Sequence, residues 1–135
     1  MIRVAFTLIG GSNWTGGHNY LKNLLTILAQ YQKDKITPVL FIGSDSHDEY
    51  LSSFSSIPGI EIVKTDMFNA SRRAFMLLSA IVLGRYAPAQ KLFNVNRINV
   101  VFESAQFFGW RLGIPAIAWI PDFQHKKLPH LFSKT

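Results

Sequence analysis

Apolar and polar positions along this chain alternate between two periods. Residues 2–9 form a nearly continuous apolar run, broken only by Arg3 and Thr7. Such runs belong to strands buried on both faces of a parallel sheet. The run stops at the breaker cluster Gly10-Gly11-Ser12-Asn13. Leu21, Leu24, Leu25 and Leu28 then recur at helical spacing, with Lys22, Asn23, Thr26 and Gln30 between them. That pattern predicts an amphipathic helix over 17–33 with one core-facing stripe. The same alternation continues down the chain. Val39-Leu40-Phe41-Ile42 predicts a second strand, 48–54 a short helix, and Ile60-Glu61-Ile62-Val63 a third strand. A helix is predicted over 71–83, with Ser71 at its N-cap and Gly84 as its stop. A fourth strand follows over 98–102, a short helix over 104–112 and a fifth strand over 114–120, with Pro115 at its start, where a missing donor is tolerated.

Five strands alternating with helices predict one α/β unit. It is Rossmann-like and doubly wound, with a mainly parallel sheet of five or more strands and right-handed crossovers. Ligands of such sheets sit outside the carboxyl ends of the strands. The small and polar residues gather at those ends: 10–18, Gly43-Ser44-Asp45, Thr65-Asp66, Glu103-Ser104 and 121–125. Of these loops the first is the most informative. Its glycines let backbone come close to a ligand, and the free amides at the following helix start favour an anion. A tight strand-to-helix turn would require the same glycines for steric reasons alone. The loop does not match the dinucleotide pattern G-x-G-x-x-G. It also fails as a P-loop, because Gly17-His18 stands where Lys-Ser/Thr is needed.

Composition narrows the classes further. The chain is 135 residues long, 48% hydrophobic and 16% charged, too apolar for intrinsic disorder. Fourteen Lys and Arg against eight Asp and Glu give +6. That balance fits an anionic partner or a scattered basic surface. No Lys/Arg run reaches five residues, so a nucleic-acid-binding tail is not supported and no nucleic-acid partner is expected. The absence of cysteine excludes a disulfide scaffold, a Cys-based zinc site and a thiol nucleophile. The apolar start is too short for a signal peptide, and the longest apolar stretch, 74–83, is well short of a bilayer span. A cytoplasmic location is therefore expected.

The Gly16-Gly17-His18 turn, together with Trp119-Ile120-Pro121-Asp122-Phe123-Gln124-His125 and Leu128-Pro129, resembles the N-terminal half of group 1 retaining glycosyltransferases. These enzymes have the GT-B architecture of two facing Rossmann-like domains. The resemblance implies that a sugar moves from a nucleotide-sugar donor to a glycan or lipid-linked acceptor, in cell-surface polysaccharide or glycoconjugate synthesis. It implies His125 as the catalytic histidine that orients the donor sugar. Asn13, Gly16, Gly17, His18, Glu103 and Asp122 are the substrate-binding candidates beside it. No cofactor beyond the nucleotide-sugar substrate, and no metal in the site, is implied. In that family a C-terminal domain with a Glu-x7-Glu motif binds the donor. The 135 residues hold no such motif. They are thus expected to form a single N-terminal domain, incomplete at its C-terminus, inactive without a C-terminal domain or partner subunit, and with an exposed sheet edge that favours self-association.

The segment 71–86 carries apolar residues around nearly the whole helical wheel, flanked by Arg72, Arg73 and Arg85. Two uses fit: burial against the sheet and a further domain, or peripheral contact with an anionic membrane, on its inner face. A reading from another class is a non-catalytic nucleotide- or phosphate-binding Rossmann-like module, using the same glycine turn without a partner domain. A response-regulator-like domain is disfavoured because no paired acidic residues follow the first strand. A flavodoxin-like one is disfavoured because the loop lacks a Ser/Thr-rich phosphate run.

Overall fold

The computed structural model describes residues 1–8, 15–46, 48–104 and 106–119. The elements are β1 (Ile2–Thr7), α1 (Thr15–Tyr31), β2 (Ile36–Gly43), α2 (Asp48–Ser55), β3 (Glu61–Thr65), α3 (Arg73–Val82), α4 (Ala87–Val95), β4 (Val100–Ser104) and β5 (Ala116–Trp119). The five strands form one sheet in the order β3-β2-β1-β4-β5, and every neighbouring pair is parallel. This is the doubly wound, Rossmann-like α/β unit that the alternating periods predict. The order reverses between β1 and β4, which makes that junction the topological switch point. No helix among the described residues is long and apolar enough to cross a membrane.

The two faces of the sheet are covered by different helices. On one face Leu21 and Leu25 of α1, with Leu51 and Phe54 of α2, pack on Val4, Phe6, Leu40 and Ile42. The predicted leucine stripe is therefore the buried face of α1. On the other face Met76, Ala89, Phe93 and Phe108 cover Ala5, Val39, Phe41 and Val101. Here the core is aromatic. Phe93 meets Phe41 and Phe108 edge-on, each with ring centroids 5.2 Å apart, a geometry that adds roughly 0.5–1.5 kcal/mol per pair beyond burial. At the amino edge of the sheet Arg3 ties three elements together. Its guanidinium makes a two-pronged ion pair with Glu61 of β3, at 2.7 and 2.6 Å, and donates from Nε to the Asn96 carbonyl at 2.8 Å.

Three sequence expectations need correction. Residues 106–112 are not helical. Gly109 has φ +105° and lies against the backbone of Gly84 and Arg85, while Phe108 and Leu112 plug the core from an irregular chain. The helix after β3 starts at Arg73 rather than Ser71. It is preceded by two 3-10 turns, Asp66–Phe68 and Ala70–Arg72, and no side chain caps it. Finally, the structure adds the helix α4, for which the sequence pattern predicts no element. Its polar and apolar residues give a short, weak period, and the tertiary contacts of Ala89 and Phe93 with the sheet settle it as a helix.

Candidate functional site

The carboxyl end of the switch point is built from the ends of β1 and β4 and the amino end of α1. The β1–β4 ladder stops at Phe6↔Phe102, whereas β4–β5 continues to Ser104↔Trp119. The Thr7 carbonyl therefore lies past the last paired residues of the ladder. It receives the Ser104 hydroxyl instead, at 3.5 Å, the long limit for such a bond. Ser104 and Thr7 are both buried. Glu103, half-buried, accepts the Phe108 backbone N–H at 3.0 Å and so holds the loop after β4 against the strand end.

Among the described residues, Thr7 Oγ1 and Gln106 Oε1 at this end are buried and have no hydrogen-bond partner. Such atoms cost free energy in an empty fold, about 1–3 kcal/mol each. One belongs to the last residue of β1 and the other to the chain that follows β4. Neither Thr7 nor Gln106 is singled out by sequence reasoning. The available signal is a hydroxyl residue at the last position of an otherwise apolar strand.

The predicted site residues distribute as follows. Gly16, Gly17 and His18 all lie in the first turn of α1, at the carboxyl side of β1. Gly16 is exposed and Gly17 is buried. The amide groups of this turn supply the positive end of the helix dipole. The His18 ring is turned toward α2. Its Nε2 is 3.1 Å from Ser53 Oγ, and the ring meets Phe54 edge-on with centroids 4.8 Å apart. Loss of hydration, and secondarily the Lys22 charge, hold its pKa below the ordinary histidine value. Glu103 stands at the end of β4 on the other side of the switch point. Asn13, Asp122 and His125 lie outside the described residues.

The loops after β2 and β3 are joined to each other by hydrogen bonds. Asp45 Oδ2 accepts the Ala70 N–H at 2.8 Å, and the Ser44 N–H donates to the Thr65 carbonyl. These bonds stitch the loop after β2 to the 3-10 turns after β3. On the α1 face, Tyr20 stacks on Trp119 with centroids 4.2 Å apart and planes 17° apart, pinning β5 to the helix across β4. A groove of about 490 Å³ between α2 and β3, lined by Leu51, Ser52, Ser55, Ile62 and Lys64, lies by the outer strand and shares no residue with the switch point. Among the described residues no cluster of His, Asp or Glu is placed to hold a metal ion.

No known protein-family model, curated protein or solved structure matches this chain.

Proposed function

We propose that this chain is the acceptor-side half of a nucleotide-sugar-dependent glycosyltransferase acting at the cytoplasmic side of a membrane, on a glycan or lipid-linked acceptor. The observation that carries the reading is the switch point itself. A helix opening on Gly16-Gly17-His18 follows β1 there, and Glu103 stands next to the last residue of β4, with Thr7 Oγ1 and Gln106 Oε1 unpartnered among the described residues. A helix amino end can take up part of the negative charge that develops on a diphosphate leaving group. The buried hydroxyl and amide oxygen are suited to sugar hydroxyls, which both donate and accept. Under this reading Gly16 and Gly17 approach the donor phosphates or transferred sugar, and Glu103 orients the acceptor. His125, Asp122 and Asn13 complete the site, and the base-binding half comes from a second Rossmann-like unit.

The 135-residue chain alone is then expected to bind acceptor sugars weakly and to leave nucleotide sugars intact. Ligand-observed NMR with acceptor glycans and with UDP, GDP and dTDP, followed by turnover assays on the corresponding nucleotide sugars, tests this. Turnover by the isolated chain overturns the two-half reading. Tight nucleotide binding without any acceptor contact instead selects the non-catalytic nucleotide- or phosphate-binding module, which needs the same glycine turn and no partner.

A further inference from the structure

Among the described residues, the outer face of α3 is the largest run of exposed apolar side chains on one helix. Met76 and Ala80 are its only buried residues. Opposite them Phe75, Leu78, Ile81 and Val82 are 53–66% exposed. Burial against the sheet, one of the two uses open to this segment, thus accounts for one stripe of the helix; of the others, Phe75 meets the Tyr86 ring edge-on, while Leu78, Ile81 and Val82 stay more than half exposed. The position of α3 is as informative as its exposure. It begins just past the carboxyl end of β3. At its far end the Gly84 carbonyl accepts the Arg111 N–H at 2.7 Å, and the Tyr86 N–H donates to the Phe108 carbonyl at 3.1 Å, both in the loop that follows β4. Its 10 residues span about 15 Å. The three strand spacings from β3 to β4 come to about 14 Å. The helix is therefore long enough to reach from the carboxyl end of β3 to the loop after β4, along the carboxyl edge of the sheet and past the switch point. The loop it meets extends the patch, because Trp110 is 66% exposed and stacks with the partly exposed Phe107.

Charge chooses the occupant. Between Asp66 and Asp122 the only carboxylate side chain is Glu103, against Arg72, Arg73, Arg85, Lys91, Arg97 and Arg111. Arg72, Arg85 and Arg111 are exposed at the two ends of the apolar face. A second copy of this chain would bring the same positive charge to the same patch. An anionic bilayer surface offers both what the apolar face and what the arginines lack. We infer that the α3 outer face, with Trp110, is a peripheral docking surface for anionic lipid, which lays the carboxyl edge of the sheet on the membrane. This deepens the acceptor-side reading, since it puts the crevice at the height of a lipid-linked acceptor's head group. It is read out without any sugar nucleotide, so it can fail while the enzymatic reading stands, and the reverse.

The test is flotation of the 135-residue chain with vesicles of phosphatidylcholine alone and of phosphatidylcholine with phosphatidylglycerol. Binding is expected only to the second kind, weakening as salt is raised. Leu78→Ser with Val82→Ser should lower the partition at least about tenfold, with the unfolding midpoint unmoved because both side chains face solvent. Arg85→Gln and Arg111→Gln should each lower it about fivefold, and they provide a reading that does not touch the apolar face. A blue shift of tryptophan emission on binding, removed by Trp110→Phe, would place the loop in the interface. Equal binding to both vesicle types, no binding to either, or loss of a self-associated species by the Leu78 and Val82 variants without lipid would overturn the inference. The last outcome would make the patch a contact between copies.

Discussion

Replacing Gly109 by alanine should be among the most damaging single-methyl additions in this fold. Gly109 is buried, with φ +105°, a region that L-residues enter at a cost of about 1–3 kcal/mol. A Cβ built there would also fall 2.5 Å from the Gly84 carbonyl carbon and 2.7 Å from Arg85 Cα. Both are backbone atoms, so no rotamer change relieves the clash. Moving them means pushing the end of α3 off the loop after β4, an overpacking cost of about 1–3 kcal/mol. The two contributions together come to about 2–6 kcal/mol. Gly59→Ala provides the control. Gly59 has φ +77° with nothing within 4 Å of a built Cβ, so only the backbone contributes, about 1 kcal/mol. Urea unfolding followed by far-UV circular dichroism measures both. With a slope of about 2 kcal/mol per molar, the midpoint should fall by about 1–3 M for Gly109→Ala and about 0.5 M for Gly59→Ala. Equal shifts for the two variants would refute the claim that α3 is locked to the β4 loop through backbone contact.

Other expectations follow from single groups. The Arg3 hydrogen bond, aided by its charge, holds the Glu61 pKa below the ordinary glutamate value against a smaller burial effect. The resulting stability is present above the ordinary value, about 4.3, and is lost as pH falls through the lower folded value. Glu61→Gln should flatten that acid limb and cost about 0.5–1 kcal/mol at neutral pH, since the pair is partly exposed; an unchanged acid limb would sink the assignment. His18 has a depressed folded pKa, so its contribution is present above about 6.5 and declines as pH falls toward the folded value. NMR titration of the ring should give a midpoint below the free-histidine value, and His18→Gln should remove that part of the pH dependence of unfolding. Thr7→Val keeps the side-chain shape and deletes a buried hydroxyl that has no partner, so the variant should be more stable by about 1 kcal/mol. Destabilisation in thermal unfolding would show that the hydroxyl is bonded in the folded chain.

The sheet is legible because every strand reads as a short apolar run, although only the inner strands β1 and β2 are buried along most of their length and β5 is largely exposed. Phe41 and Ile42 of β2 face opposite layers, yet both are fully packed. The Leu21, Leu24, Leu25, Leu28 stripe was equally legible, since α1 has one solvent face. The segment from Ser104 to Leu112 misled because Phe107, Phe108, Trp110 and Leu112 mimic a helical period. What decided it was a close backbone approach at Gly109 to residues 84 and 85, and no local pattern carries that. The site was half legible. Gly16, Gly17, His18 and Glu103 were placed at strand ends by reading where apolar runs stop. The direction of the His18 ring depends on Ser53 and Phe54 of another helix. Thr7 went unnoticed because a threonine in a strand ordinarily needs no explanation; only its burial without a partner gives it meaning.

The apolar and polar peculiarities of this fold fall on the same edge, and one structural cause connects them. A crossover helix in a doubly wound sheet usually runs back along the strands and buries its length. Here that task falls to α4, which supplies Ala89 and Phe93 to the core. With α4 doing this, α3 is released to lie along the carboxyl edge, burying only Met76 and Ala80. Its far end is then fixed by the same loop that Glu103 holds through the Phe108 N–H. Glu103 thus holds the loop at the carboxyl end of β4 and, through it, the end of the exposed helix. A perturbation there should move the crevice and the α3 patch together, whereas the Tyr20–Trp119 stack on the opposite face should be indifferent to it.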